Sequence, residues 1–419
     1  MTLIKTSLLN AIAVVIKMLT LLGINKVLAI YVGPSGYAAI GQFQNAVQMI
    51  TTFASGGINT GVTKYTAEYN ESATEQHKVW STAATIAFIG SIFISFLIIL
   101  FSRDLSIFIL KDESYAGVFV GLACALVFFI FNALMLAVLN GKKEIKSYVC
   151  ANIVGSVFAL VITSILAYVF KLYGALFALA IYQSLTFFVT VYLCRKLSWF
   201  RFGYFFGAVD KKIAVNLVKY AGMAFVSVAC VPVSSIIIRD HLGVTFGWAS
   251  AGYWEGMLRL SSAYMLIVAT TLSVYYLPKL SELRKCTDLV VEISNGYKLV
   301  IPVTLIAALF IYTFRFEVVQ ILFSEDFLPM VDLFFWQLLG DVLKASSWIL
   351  SYLMLSKAFY KLYIVTEISF SVLLVVLCFL LTPHFGVVGV VIAYAINYGL
   401  YWVVVAAVLG RRLYMQEEL

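Results

Sequence analysis

The chain has 419 residues; 63% are hydrophobic and only 12% charged, the net charge is +8 and the mean hydropathy +0.98. A soluble domain carries about 45–50% apolar and about 25% charged residues, so a soluble enzyme, a disordered chain and a secreted disulfide scaffold are excluded. The apolar runs are unbroken rather than alternating, which also excludes a membrane barrel and leaves an all-α polytopic membrane protein.

Each spanning helix needs about 20 mostly apolar residues. The pattern predicts about twelve, near 7–31, 37–63, 79–101, 115–139, 148–170, 173–194, 216–238, 250–276, 296–314, 331–356, 359–382 and 385–409. The first is interrupted by Lys17 and lacks a small-x-small cleavage site, so it reads as a retained helix and not a signal peptide. Gly33-Pro34-Ser35-Gly36, Lys111-Asp112-Glu113, Asn140-Gly141, Pro329 and Pro383 mark turns between spans. An even number of spans puts both termini on one side. Of the loop lysines and arginines, 18 lie on that side and only Arg103, Lys111, Lys171, Arg239 and Arg315 on the other, which predicts cytoplasmic termini.

The longest loop is basic and sits at the midpoint, so the expected organisation is a six-helix bundle over 1–200, a cytoplasmic linker over 201–215 and a second six-helix bundle over 216–419. The halves match when displaced by 215 residues: Lys142 falls on Lys357, Lys146 on Lys361, Tyr148 on Tyr363, Ser156 on Ser371 and Gly174 on Gly389. Gly36-Tyr37 likewise corresponds to Gly252-Tyr253. Two halves of even span number share one orientation, and transporters built this way bind substrate between the halves.

The six cysteines are scattered without a CxxC pair, and His77, His241 and His384 lie in loops on different sides. No metal site, no nucleotide-binding loop and no nucleophile motif follows, so no cofactor is expected. Ionisable groups inside spans are costly and usually functional. Here they are Lys17 and Lys26 in the first span, Glu255 and Arg259 in the eighth, Asp341 and Lys344 in the tenth and Glu367 in the eleventh, with Lys64 at the inner end of the second. Lys26 and Lys64 are near enough to span ends to snorkel. Glu255–Arg259 and Asp341–Lys344 have the spacing of neutralising pairs, and Glu367 is placed to reach a loop lysine or to carry a proton. Lys17 has no carboxylate three or four residues away; it shares a polar stripe with Thr6 and Asn10, within about 40° at 100° per residue. Gln42, Gln44, Asn45 and Gln48, with Thr51, Thr52 and Ser55, give the second span groups that both donate and accept, as sugar hydroxyls require. The combination predicts a positive cavity for an anionic ligand bearing sugar.

Three stretches carry a family resemblance: Gly57-Ile58-Asn59-Thr60-Gly61-Val62-Thr63-Lys64-Tyr65, Ser273-Val274-Tyr275-Tyr276-Leu277-Pro278-Lys279-Leu280-Ser281, and Trp336-Gln337-Leu338-Leu339-Gly340-Asp341-Val342-Leu343-Lys344. With them the chain resembles the Wzx-type polysaccharide flippases of the multidrug/oligosaccharidyl-lipid/polysaccharide exporter superfamily, among them those for O-antigen and enterobacterial common antigen. The resemblance implies two six-helix bundles forming a V around a central cavity in the bacterial inner membrane. It implies transport by alternating access of an undecaprenyl-pyrophosphate-linked oligosaccharide repeat unit to the periplasmic leaflet, alongside a polymerase and a chain-length regulator. Lys17, Arg259 and Lys344 would then meet the pyrophosphate. Two alternatives stay open: a multidrug cation antiporter of the same superfamily, against which the two lysines of the first helix weigh, and an integral-membrane polysaccharide polymerase or ligase, which the short outer loops disfavour.

Overall fold

In the computed structural model the backbone is described for residues 3–414 apart from 284 and 358; side chains are described apart from those of 1–11, 219–224, 226, 227, 274, 284, 358 and 412–419. The described residues form fourteen α-helices and no strand. They are α1 (Leu3–Ser55), α2 (Asn59–Glu68), α3 (Ala73–Leu100), α4 (Ser102–Leu110), α5 (Ala116–Gly141), α6 (Ile145–Arg195), α7 (Lys211–Phe246), α8 (Trp248–Thr271), α9 (Leu277–Glu282), α10 (Cys286–Thr313), α11 (Arg315–Leu322), α12 (Phe334–Ser356), α13 (Tyr360–Phe385) and α14 (Val388–Tyr414). Nine helices among the described residues are long and apolar enough to cross a membrane.

Two of these, α1 with 53 residues and α6 with 51, would be roughly 75–80 Å long at 1.5 Å per residue, more than twice a bilayer core. Each is two spans joined at one broken residue, Gly33 (φ 70°, ψ 178°) in α1 and Lys171 (φ 51°, ψ −129°) in α6. Counting both as pairs and adding α8, which is also long enough to cross, gives the twelve spans that the hydropathy pattern predicts. The chain is a multi-pass membrane protein.

Three sequence expectations are corrected. Gly33–Gly36 is not a loop: only Gly33 leaves the helix, because Pro34 disfavours helical geometry at the residue before it and glycine accepts the positive φ. The second span stops at Ser55 instead of 63, since Gly56 and Gly57 both take positive φ (64° and 63°) and start the separate short helix α2 that carries Lys64. Arg239 is not a loop residue: α7 continues to Phe246 and the arginine is buried within it.

The internal repeat is visible in the backbone. Lys171 is displaced by 215 from Gly386, and the two share one conformation, φ 51°, ψ −129° against φ 61°, ψ −146°. Three residues on, a Cβ at Gly174 would lie 1.9 Å from the Leu166 carbonyl oxygen and one at Gly389 2.7 Å from that of Leu381, so both glycines are required by the same close turn. The turn before α6 repeats before α13: Glu144 N–H donates to Leu139 O (3.0 Å) and Phe359 N–H to Met354 O (2.9 Å). Gly247 (φ 88°, ψ 150°) breaks the chain between α7 and α8 as Gly33 does within α1.

The chain forms two compact units, Met1–Val32 with Ala39–Pro232, and Gly33–Ala38 with Val233–Leu419. The first has an aromatic core around Trp80, Trp199 and Phe205, where Trp80 Nε1 donates to Thr66 Oγ1 (3.0 Å). The second has a core built on Leu272, Leu280, Ile349, Leu353 and Val405. Residues 33–38 belong to the second unit because Pro34 lies on Gly252 of α8, where a Cβ would come 1.8 Å from the Pro34 carbonyl oxygen, and Tyr37 packs edge-on against Phe327.

Lys171 occupies a backbone region that is essentially reserved for glycine and costs about 1–3 kcal/mol otherwise. It regains part of this by setting its ammonium 5.2 Å from the Tyr31 ring. Lys171→Gly is expected to stabilise the protein by about 1 kcal/mol, and Gly386→Ala to destabilise it by about the same. Thermal melting in detergent measures both; a Lys171→Gly protein that melts below wild type contradicts the assignment.

Candidate functional site

Among the described residues four charged side chains are buried, Arg239, Glu255, Arg259 and Asp341, and all lie in the second unit. Taking an ion out of water costs several kcal/mol unless partners replace the solvent, so the partners define the site.

The first cluster joins α7 and α8. The break at Gly247 turns the chain back, and Arg239 Nη2 donates to Glu255 Oε2 at 2.6 Å. One helical turn beyond Glu255, Arg259 Nε donates to the other oxygen, Oε1, at 2.8 Å. The expected pair is therefore a triad, one carboxylate between two guanidinium groups, whose formal charges sum to +1. The Arg239 guanidinium lies 5.5 Å from the Trp254 ring and that of Arg259 5.0 Å from the Tyr37 ring, both within cation–π range.

The second cluster joins α8, α12 and α14 at Asp341. Its Oδ2 accepts from Ser261 Oγ (2.6 Å) and Tyr264 OH (2.5 Å), and its Oδ1 from Tyr394 OH (2.8 Å) and Gln337 Nε2 (3.3 Å). Gln337 Nε2 also donates to Ser261 Oγ (3.2 Å). Gly340 permits this: a Cβ there would lie 2.3 Å from the Tyr394 ring and push the hydroxyl off the carboxylate. Lys344 does not form the expected ion pair with Asp341. Its ammonium sits among the rings of Trp348 (5.5 Å), Tyr394 (5.6 Å) and Tyr398 (5.2 Å). It is close enough to act electrostatically on both Asp341 and the half-buried Glu367, so the cation near Glu367 is Lys344, where a loop lysine was expected.

The candidate residues of the first unit are more dispersed. Lys17 is exposed and Lys26 half-buried. Asn10 lies outside the described side chains, and with it the polar stripe it was expected to form with Thr6 and Lys17. Lys64 is exposed on α2, 3.9 Å from Glu68 and 5.1 Å from the Tyr65 ring. Gln42 is buried, Asn45 half-buried with its Nδ2 enclosed and unbonded, and Gln48 exposed. The hydroxyls of Thr51, Thr52 and Ser55 donate to carbonyls of their own helix, at 2.8, 2.9 and 3.1 Å, so the amides are the groups this face has to offer.

Sequence reasoning missed Arg239, Ser261, Tyr264, Gln337 and Tyr394. Two signals were present: Gln337 stands four residues before Asp341, and Tyr394, Tyr398 and Tyr401 recur at helical spacing along α14.

Asp341 and Lys344 should separate on mutation. Asp341→Ala leaves three hydroxyls and an amide without their acceptor, at about 1–3 kcal/mol for each group left unsatisfied, and is expected to lower the melting midpoint and membrane abundance sharply. Lys344→Ala removes cation–π contacts worth about 0.5–2 kcal/mol and should leave a folded protein. Fluorescence-detected melting in detergent checks both, and an Asp341→Ala protein as stable as wild type would contradict the network.

The pattern of the polysaccharide biosynthesis protein family matches residues 3–284. Over 403 residues, 96% of this chain and 97% of the relative, the sequence is 30% identical to the lipid III flippase of Escherichia coli (strain K12), and equally to that of Shigella flexneri. Among solved structures it is similar to an inward-facing multidrug resistance MATE family transporter of the MOP superfamily (TM-score 0.72, 16% identity, 95% of this chain and 94% of that one). It is equally similar to the lipid II flippase MurJ in an inward closed conformation (TM-score 0.72, 13% identity, 97% and 87%). At these identities the structural likeness shows the fold, that of the MOP transporters. The match over most of the chain and the near-complete alignment with the lipid III flippases establish that this chain belongs to the polysaccharide biosynthesis protein family.

Proposed function

We propose that the chain is a transporter, not an enzyme, and that it flips an undecaprenyl-pyrophosphate-linked oligosaccharide repeat unit, of O-antigen or enterobacterial common antigen type, from the cytoplasmic to the periplasmic leaflet of the inner membrane. The observation that carries this is the 30% identity with the lipid III flippases over nearly the full length of both proteins. The charges are in keeping with it. A pyrophosphate leaving the headgroup layer needs cationic partners, and Lys17, Lys26, Lys64, Arg259 and Lys344 are the candidates. Asn10, Gln42, Asn45 and Gln48 suit the sugar. Alternating access moves the headgroup while the lipid tail stays in the bilayer, and both termini face the cytoplasm. The product feeds a polymerase and a chain-length regulator.

Of the three carboxylates considered for coupling, Glu255 is shared by two arginines and Asp341 is held by four donors. Glu367 has no hydrogen-bond partner among the described residues and only Lys344 as a charged neighbour, which makes it the carboxylate best placed to exchange a proton.

The test is restoration of surface glycan in cells lacking their own flippase for that repeat unit. Wild type restores display; Lys17→Ala reduces it and Lys17→Glu abolishes it, with membrane abundance unchanged by immunoblot. Lys17→Arg recovers part of the activity, because it keeps the charge and changes the reach. Normal display by both Lys17→Ala and Lys17→Glu would remove Lys17 from the substrate path.

A further inference from the structure

Lys344 is half-buried on α12, with its ammonium 5.2 Å from the Tyr398 ring, 5.5 Å from that of Trp348 and 5.6 Å from that of Tyr394. Asp341 and Glu367 are near enough to act on it electrostatically, yet among the described residues it forms a salt bridge with neither. The Asp341 oxygens are taken by four other donors, so ring faces hold the cation instead. A ring face holds an ammonium less tightly than a phosphate does, because a charge-assisted hydrogen bond is shorter and acts on a full negative charge. A doubly charged ligand can therefore draw the ammonium away. The walls of the cage do not need it. Tyr394 donates to Asp341 Oδ1 (2.8 Å), and its ring lies on Gly340, where a Cβ would come within 2.3 Å. Tyr398 packs edge-on against Tyr394 with ring centroids 4.8 Å apart, and Trp348 is packed on the core around Ile349, Leu353 and Val405. Trp348 and Tyr398 are only half-buried, which leaves their faces within reach. Fixed, partly open aromatic walls suit a pyranose, whose C–H face carries partial positive charge and lies on an electron-rich ring. In a lipid-linked oligosaccharide the first sugar is bonded directly to the pyrophosphate. Such a ligand brings an anion and a pyranose to one place, as the cage brings together a cation and ring faces.

We propose that Trp348 and Tyr398, backed by Tyr394, form the subsite for the sugar nearest the pyrophosphate, and that Lys344 fills this subsite until the cargo arrives. The pyrophosphate draws the ammonium out of the cage, and the first pyranose takes its place on the vacated ring faces. This rests on the lipid-pyrophosphate reading above. The roles divide by residue: Lys344 recognises the charge, and Trp348 and Tyr398 recognise the sugar. A lipid pyrophosphate without sugar engages only the first, and a sugar-bearing one engages both.

The experiment compares binding of undecaprenyl pyrophosphate and of undecaprenyl-pyrophosphoryl-N-acetylglucosamine to the full chain in nanodiscs of neutral lipid, with thermal melting as the check on folding. In the wild type the sugar should strengthen binding about tenfold, equivalent to about 1.4 kcal/mol. Trp348→Leu and Tyr398→Leu should lose that gain while binding the sugar-free lipid within about threefold of wild type. Lys344→Gln should weaken binding of both lipids about tenfold. A cage that only stabilises Lys344 predicts a different pattern, in which the leucine variants weaken both lipids to the same extent. That pattern in folded variants overturns the proposal, as does a folded leucine variant that keeps the full gain or a folded Lys344→Gln that binds both lipids like wild type. If neither leucine variant folds, isotope-labelled dimethylation of the lysines supplies a second measurement on the wild type. The Lys344 methyl resonance, identified by its loss in Lys344→Arg, starts displaced by the ring currents and should lose that displacement when the sugar-bearing lipid binds; a resonance that keeps it overturns the proposal. A wild type that binds both lipids equally removes this subsite and leaves the substrate reading standing. A wild type that binds neither overturns the substrate reading itself, and this inference with it.

Discussion

A charge inside a membrane protein has to be met by partners the protein supplies, and the second unit of this chain is organised around that requirement. Arg239, Glu255, Arg259 and Asp341 are buried, and their partners come from different helices: α7 and α8 meet at Glu255, and α8, α12 and α14 meet at Asp341. Satisfying these groups fixes which helices touch and at what height. The glycines fall where that constraint needs them. Gly340 lets Tyr394 approach Asp341, and Gly252 lets the Pro34 backbone rest on α8, which sets Tyr37 beneath Arg259.

The internal repeat allows the same positions to be compared in the two units. At the displacement of 215, Gln337, Asp341 and Tyr394 correspond to Leu122, Leu126 and Leu179, all buried in the first unit. At the displacement of 216 that aligns Gly36 with Gly252, Glu255 and Arg259 correspond to Ala39 and Phe43. The break at Lys171 recurs at Gly386, yet at these matched positions the first unit carries apolar side chains where the second carries polar and charged ones.

Much of this was legible in the residues. Hydropathy alone gives the twelve spans, and the matched lysines and glycines give the repeat with its register. The local geometry of a helix also brings Glu255 to Arg259, because residues four apart always neighbour each other. What the sequence could not show depends on contacts between helices. Arg239 is 16 residues from Glu255 and near the predicted end of its span, so by position it reads as a loop cation. Lys344 has the right spacing for Asp341, yet Ser261, Tyr264 and Tyr394, brought from two other helices, satisfy the carboxylate first and the ammonium turns to aromatic rings. The left-handed backbone at Lys171 has no local signal at all; only its alignment with Gly386 marks the position.

The central claim is that this charged, two-unit membrane protein moves a lipid-linked oligosaccharide without altering it. The most direct measurement is reconstitution of the purified protein into liposomes bearing a labelled undecaprenyl-pyrophosphate oligosaccharide, following how much of it becomes accessible to an impermeant reagent on the opposite face while its mass is monitored. The account predicts protein-dependent movement with the lipid-linked oligosaccharide chemically unchanged. A longer glycan or a cleaved pyrophosphate, or movement of organic cations with the lipid-linked oligosaccharide left in place, would contradict it.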